Sequence, residues 1–142
     1  MPEAVKQAVH RLAYLLLDAS DLLPGRREET FPPRGLVYVG SGDFCAIGDE
    51  FLHYAVRLGG LTASDRVLDI GCGLGRIARP LTGYLDAAGS YEGFDPVPQA
   101  IAWCRRHFTA RFPNFRFQWM DIRNGQYNPR GRQSAADFQF PY

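Results

Sequence analysis

The run Val67-Leu68-Asp69-Ile70-Gly71-Cys72-Gly73-Leu74-Gly75-Arg76 takes an apolar strand pattern into a carboxylate and then into a glycine-rich turn. Ligands of open α/β sheets sit just beyond the carboxyl ends of the strands, so this turn is where a cofactor is expected. Glycines there permit positive φ and let a ligand approach the backbone with no Cβ in the way. A second carboxylate, Asp95, follows the run Tyr91-Glu92-Gly93-Phe94, 20 positions after Gly75. An acid at that place suits a ribose, whose hydroxyls it accepts, and equally suits the N-cap of a helix opening near Pro98. A third, Asp121, follows Phe115-Arg116-Phe117-Gln118-Trp119, where it would accept from an adenine amino group or simply shape a turn.

Two nucleotide cofactors compete for such a loop. Read from Gly73, G-L-G-R-I-A satisfies the dinucleotide fingerprint, with Ala78 as the last small residue. Asp69 argues the other way, because its charge would face a pyrophosphate, whereas the ammonium and sulfonium of S-adenosylmethionine would welcome a nearby anion. Asp95 supports nucleoside binding without choosing between them.

The elements that must position these residues alternate. Residues 66–70 (RVLDI), 91–94 (YEGF) and 115–119 (FRFQW) read as strands, and 75–85 and 98–108 as the helices between them. Pro80 sits inside the first of these helices and should distort its early turns. This β-α-β-α-β order predicts an α/β fold with three parallel strands in the order 3-2-1, joined by right-handed crossovers. Upstream, Val5, Val9, Leu12 and Leu16 fall at helical spacing, with Ala8, Ala13 and Leu15 widening the stripe. Residues 24–42 form a Pro- and Gly-rich extended arm, and a second helix is expected over 49–58, with Asp49 as N-cap and Gly59-Gly60 as its stop. The expected division is an N-terminal helical extension and loop over 1–60 and an α/β domain over 61–142.

The sequence resembles the class I S-adenosylmethionine-dependent methyltransferases, starting with VLDIGCGLGR at 67–76. GFDP at 93–96 and MDI at 120–122 lie where that family places its ribose and adenine contacts. GLVYVGSGDF, PNFRFQWMDI and YNPRG resemble a bacterial subgroup of uncharacterised methyltransferases. The strong match covers about 65–122 and the weaker one extends to both sides. The resemblance implies that Gly71, Cys72, Gly73 and Gly75 line the methionine and ribose, with Asp69 near the amino group. It also implies that Asp95, followed by Pro96, binds the ribose hydroxyls, that Asp121 and the backbone at Ile122 bracket adenine, and that residues 38–44 fold over the methionine end.

That family's sheet has seven strands, of which this chain supplies three, so the Rossmann-like methyltransferase fold is expected here as its N-terminal part only. The chain is accordingly expected to be a fragment of a larger enzyme, inactive alone, with one edge of the first strand unpaired and open to homo-oligomerisation. No acid or base is assigned, since transfer from an activated sulfonium methyl needs positioning first. His10, His53 and His107 sit apart in expected helices.

The remaining composition is bland. The chain has 142 residues, 46% hydrophobic and 22% charged, with net charge +1, which speaks against wholesale disorder and against a polyionic binding mode. Residues 1–100 carry 9 basic and 13 acidic side chains and residues 101–142 carry 7 and 2, but Arg105, Arg106, Arg111, Arg116, Arg123, Arg130 and Arg132 form no dense block. Cys45, Cys72 and Cys104 make no C-x-x-C pair and read as packed, reduced thiols. The apolar run 12–17 is far too short to cross a bilayer, and Met1-Pro2-Glu3 lacks a basic signal region. A cytoplasmic protein acting on a small-molecule acceptor is expected, with no metal, nucleic acid or membrane partner. The rival readings are a nicotinamide-dependent oxidoreductase and a noncatalytic nucleotide-binding or assembly module.

Overall fold

The computed structural model describes residues 12–19, 29–38 and 42–139, and the chain divides into two units, 1–42 and 43–142. In the first, residues 12–19 form helix α1, on which Leu12, Leu15, Leu16 and Leu17 are exposed. The part of this helix expected from Val5 to Val9 lies outside the described residues. Within the expected extended arm, Arg34–Leu36 form one 3-10 turn. The Asp18 carboxylate accepts from the backbone N–H of Arg34 at 2.9 Å and of Gly35 at 3.4 Å, tying that turn to α1.

The second unit opens with α2 (Phe44–Arg57), whose N-cap is Asp43: its side chain accepts from the amides of Cys45 and Ala46. The helix thus begins well before Asp49, the residue expected to cap it. Asp49 instead pairs with Arg79, whose guanidinium also donates to the Cys45 carbonyl at 3.1 Å. These contacts join α2 to α3 (Ala78–Leu81). α2 thus belongs to the second unit, with α3 and the strands.

The three strands are β1 (Arg66–Ile70), β2 (Ser90–Asp95) and β3 (Phe115–Trp119), all parallel, with β2 in the middle. The order is the 3-2-1 expected of right-handed crossovers. Only four residues of the expected 75–85 helix are α-helical, because glycine turns precede Ala78 and Pro80 cannot supply an amide to the ladder. The helix after β2, α4 (Pro98–Cys104), widens into a single π turn over Arg105–Thr109.

One face of the sheet carries the core. Side chains alternate along a strand, so Asp69, Tyr91, Gly93, Phe115 and Phe117 share that face. Tyr91 stacks on Phe115 at 5.3 Å between ring centroids, and Phe108 of the π turn meets Phe117 at 5.4 Å. Trp103 lies edge-on to Phe108 and flat against His107 at 4.5 Å. Trp119, by contrast, is 41% exposed at the strand end, with its indole N–H donating to the Pro96 carbonyl. β1 has no second strand partner among the described residues, and its Leu68 and Ile70 are exposed.

Candidate functional site

The glycine turn begins where β1 ends. Gly71, Gly73 and Gly75 have φ of 91°, 53° and 79°, the left-handed region that side chains avoid. At Gly75 a Cβ would also come within 2.8 Å of the Phe108 ring, so both backbone and packing demand glycine there. A Cβ at Gly71 would meet nothing within 4 Å, which leaves that side of the turn open.

Four of the turn's amides are bonded to the protein itself. Those of Gly71 and Cys72 both donate to the Phe94 carbonyl, at 2.7 and 3.0 Å, and that of Gly75 donates to the Cys72 carbonyl at 2.9 Å. The amide of Gly73 donates to Asp95 Oδ2 at 2.8 Å. Asp95 is 5% exposed, and its other oxygen accepts from the Val97 amide at 2.8 Å. This carboxylate therefore braces the turn against the start of α4, although Val97 and not Asp95 is the helix N-cap.

Asp69 is the last residue but one of β1 and accepts from the Tyr91 hydroxyl at 2.6 Å. Burial raises its pKa above the ordinary carboxylate range, the Tyr91 hydrogen bond opposes that rise, and the nearby Asp95 charge adds to it. The thiols of Cys72 and Cys104 converge on one acceptor, the Gly73 carbonyl, at 3.9 and 3.4 Å. Burial first, with help from the neighbouring acidic groups, pushes both far above the usual thiol range. They are packing groups and not nucleophiles.

Asp121 and Ile122 follow β3, one strand further along the same edge, where the Met120 amide donates to the Asp95 carbonyl. The Asp121 carboxylate is engaged by its own downstream loop: Arg132 Nε donates to it at 2.5 Å and the Arg132 amide at 3.3 Å. Arg132 holds its pKa below the ordinary range. Ile122 pairs with Gln133, and its carbonyl accepts from the Asn128 side chain at 3.1 Å.

The structure thus brings Asp69, Gly71, Cys72, Gly73, Gly75, Asp95 and Pro96 to one strand edge, and places Asp121 and Ile122 on the adjoining β3 end under residues 124–133. Sequence reasoning missed Tyr91, Cys104 and Arg132, each of which touches a residue it had singled out. Residues 39–41 of the segment expected to cover the methionine end lie outside the described residues. No group of three or more His, Cys, Asp or Glu suited to a metal occurs among the described residues. No helix among them is long and apolar enough to cross a membrane.

A parallel sheet whose first strand runs into a glycine turn, with acids at the strand ends, defines a Rossmann-like α/β domain. Residues 67–136 match the family model described as a methyltransferase domain. Among solved structures, the chain resembles protein-L-isoaspartate O-methyltransferase at 20% identity and TM-score 0.43, covering 84% of this chain and 42% of that one. It also resembles coclaurine N-methyltransferase bound to N-methylheliamine and SAH, at 14% identity and TM-score 0.45, covering 60% and 25%. A TehB-like SAM-dependent methyltransferase from Corynebacterium glutamicum matches at 20% identity and TM-score 0.32, covering 53% and 45%. The chain spans less than half the length of each of these structures. Every TM-score is below 0.5, so the fold assignment rests on the sheet and turn themselves.

Proposed function

We propose that the α/β unit binds S-adenosylmethionine and serves an enzyme that transfers its methyl group to a small-molecule acceptor. The observation that carries this reading is the direction of the turn's hydrogen bonds. A pyrophosphate cradle needs amides pointing at the ligand. Here the amides of Gly71, Cys72, Gly73 and Gly75 are bonded to the protein's own oxygens. The helix that follows has only four residues and no side-chain cap, so it offers little dipole to an anion.

What the edge does present is negative charge, from Asp69 and Asp95, which suits a ligand with an ammonium and a sulfonium. In this reading Asp69 takes the amino group and residues 71–75 line the methionine and ribose. Asp95 takes the ribose hydroxyls, since each of its oxygens can accept a second hydrogen bond beyond the backbone one. Asp121 and Ile122, with Arg132 across the carboxylate, border the adenine. When bound, S-adenosylmethionine supplies a sulfonium-activated methyl, so the demand on these residues is positioning.

Calorimetric titration of the chain with S-adenosylhomocysteine and, separately, NADH tests the reading. Saturable binding of the first alone, with a raised melting temperature, is expected. Binding of NADH alone would select the oxidoreductase reading, and binding of neither would overturn both.

A further inference from the structure

Tyr91 is 1% exposed, and its ring is clamped by Phe115 and by Phe117, the latter at 5.4 Å between centroids. It stands opposite Val67 in the β1–β2 ladder, while Asp69 stands opposite Gly93, two residues further along. The absence of a side chain at Gly93 is what lets the phenol lean along the strand. A Cβ there would lie 3.0 Å from Tyr91 Cε1 and 2.9 Å from Cys72 Sγ. The hydroxyl consequently reaches across to Asp69 Oδ2 at 2.6 Å.

The other ionisable groups around Asp69 are Asp95 at the end of β2, which raises its pKa, and the thiols of Cys72 in the turn and Cys104 on α4, which Asp69 itself pushes up. None of them is a cation. The Tyr91 hydroxyl is the group among these that favours the charged form of Asp69, against burial and against Asp95.

We propose, resting on the S-adenosylmethionine reading, that Tyr91 is a positioning residue of the cofactor site, holding the Asp69 carboxylate in place as the counter-charge for the ligand's ammonium group. Tyr91 does not touch the ligand in this scheme. It acts through Asp69, and its hydroxyl rather than its ring carries the effect.

The test is Tyr91→Phe, which keeps the ring between Phe115 and Phe117 and removes the donor. The probes are S-adenosylhomocysteine, which carries the ammonium, and 5′-methylthioadenosine, which lacks the amino-acid end. In the variant the first should bind about tenfold more weakly at neutral pH, as loss of one hydrogen bond to a charged group predicts, while the second binds as before. The acid limb of S-adenosylhomocysteine affinity should move to higher pH, because Asp69 loses the one bond that opposes its protonation. Equal affinities and an unmoved limb would overturn the proposal, whereas a wild-type chain that binds neither probe would overturn the cofactor reading beneath it. Should the variant not fold, 3-fluorotyrosine at position 91 keeps packing and strengthens the donor: the limb should then move to lower pH, and an unmoved limb counts against the proposal.

Discussion

Gly48 of α2 presents its bare Cα to the carbonyl oxygen of Arg76: a Cβ built there would lie 2.4 Å from that oxygen and 3.5 Å from Pro80 Cδ. Four residues after Arg76 the ladder reaches Pro80, which has no N–H to offer that carbonyl. Glycine in one helix thus accommodates the proline of the other, and α2 can close on the turn that follows β1.

Gly48→Ala should accordingly destabilise the protein by about 1–3 kcal/mol, the usual cost of overpacking, although alanine is the better helix former. Denaturant unfolding of the two proteins measures it. A more stable variant would mean that the helices separate freely.

Asp95→Ala removes the acceptor of both the Gly73 and Val97 amides at a buried position. A loss of about 2–3 kcal/mol in stability is expected from hydrogen bonds to a charged group, together with loss of S-adenosylhomocysteine binding. Asp95→Asn, which retains one carbonyl oxygen, should lose less of both. Melting temperature and calorimetry report the two effects separately.

Asp69→Asn should make the protein more stable at neutral pH. The folded-state pKa of Asp69 is raised, so ionising it costs stability above that pKa, and the cost fades as pH falls through the folded value towards the unfolded one near about 3.9. The melting temperatures of variant and wild type should therefore differ at neutral pH and converge in acid. A variant that is less stable throughout would show that the carboxylate's charge stabilises the fold.

Arg132→Ala tests the opposite sign. Asp121 has a lowered folded-state pKa, so its pairing stabilises above the unfolded value near about 3.9 and is lost as pH falls through the folded one. Arg132 is mostly exposed, so the difference in melting temperature should be small, should shrink in about 1 M salt, and should vanish at the acid end. A difference that survives both would place the effect in packing of residues 124–133 instead of in charge.

The strands were legible as short runs bounded by turns: the spans 66–70 and 115–119 coincide with the observed ones, and the middle strand is longer by one residue at each end. Helix ends were less so. Asp49 looks like a cap in sequence, but Asp43 has the extended backbone and the amides within reach, and only the tertiary pairing of Asp49 with Arg79 shows what Asp49 does. At the strand edge, the glycine turn and Asp95 are local patterns and could be read directly. Tyr91 could not, because its reach to Asp69 depends on the β1–β2 register and on the gap left by Gly93. Arg132 was hidden for a similar reason, lying 11 positions from the carboxylate it pairs with.

The π turn at Arg105–Thr109 sets the phase of the helix end that faces the glycines. It accommodates one residue more than an α turn, and Phe108 falls against Gly75 in that phase. Deleting a single residue there would rotate Phe108 by about 100° around the helix and withdraw the ring that closes the turn from 33 positions away. Two chains with identical glycine motifs would then hold them with different firmness, and the residue count of α4 is as much a part of the ligand loop as the glycines are.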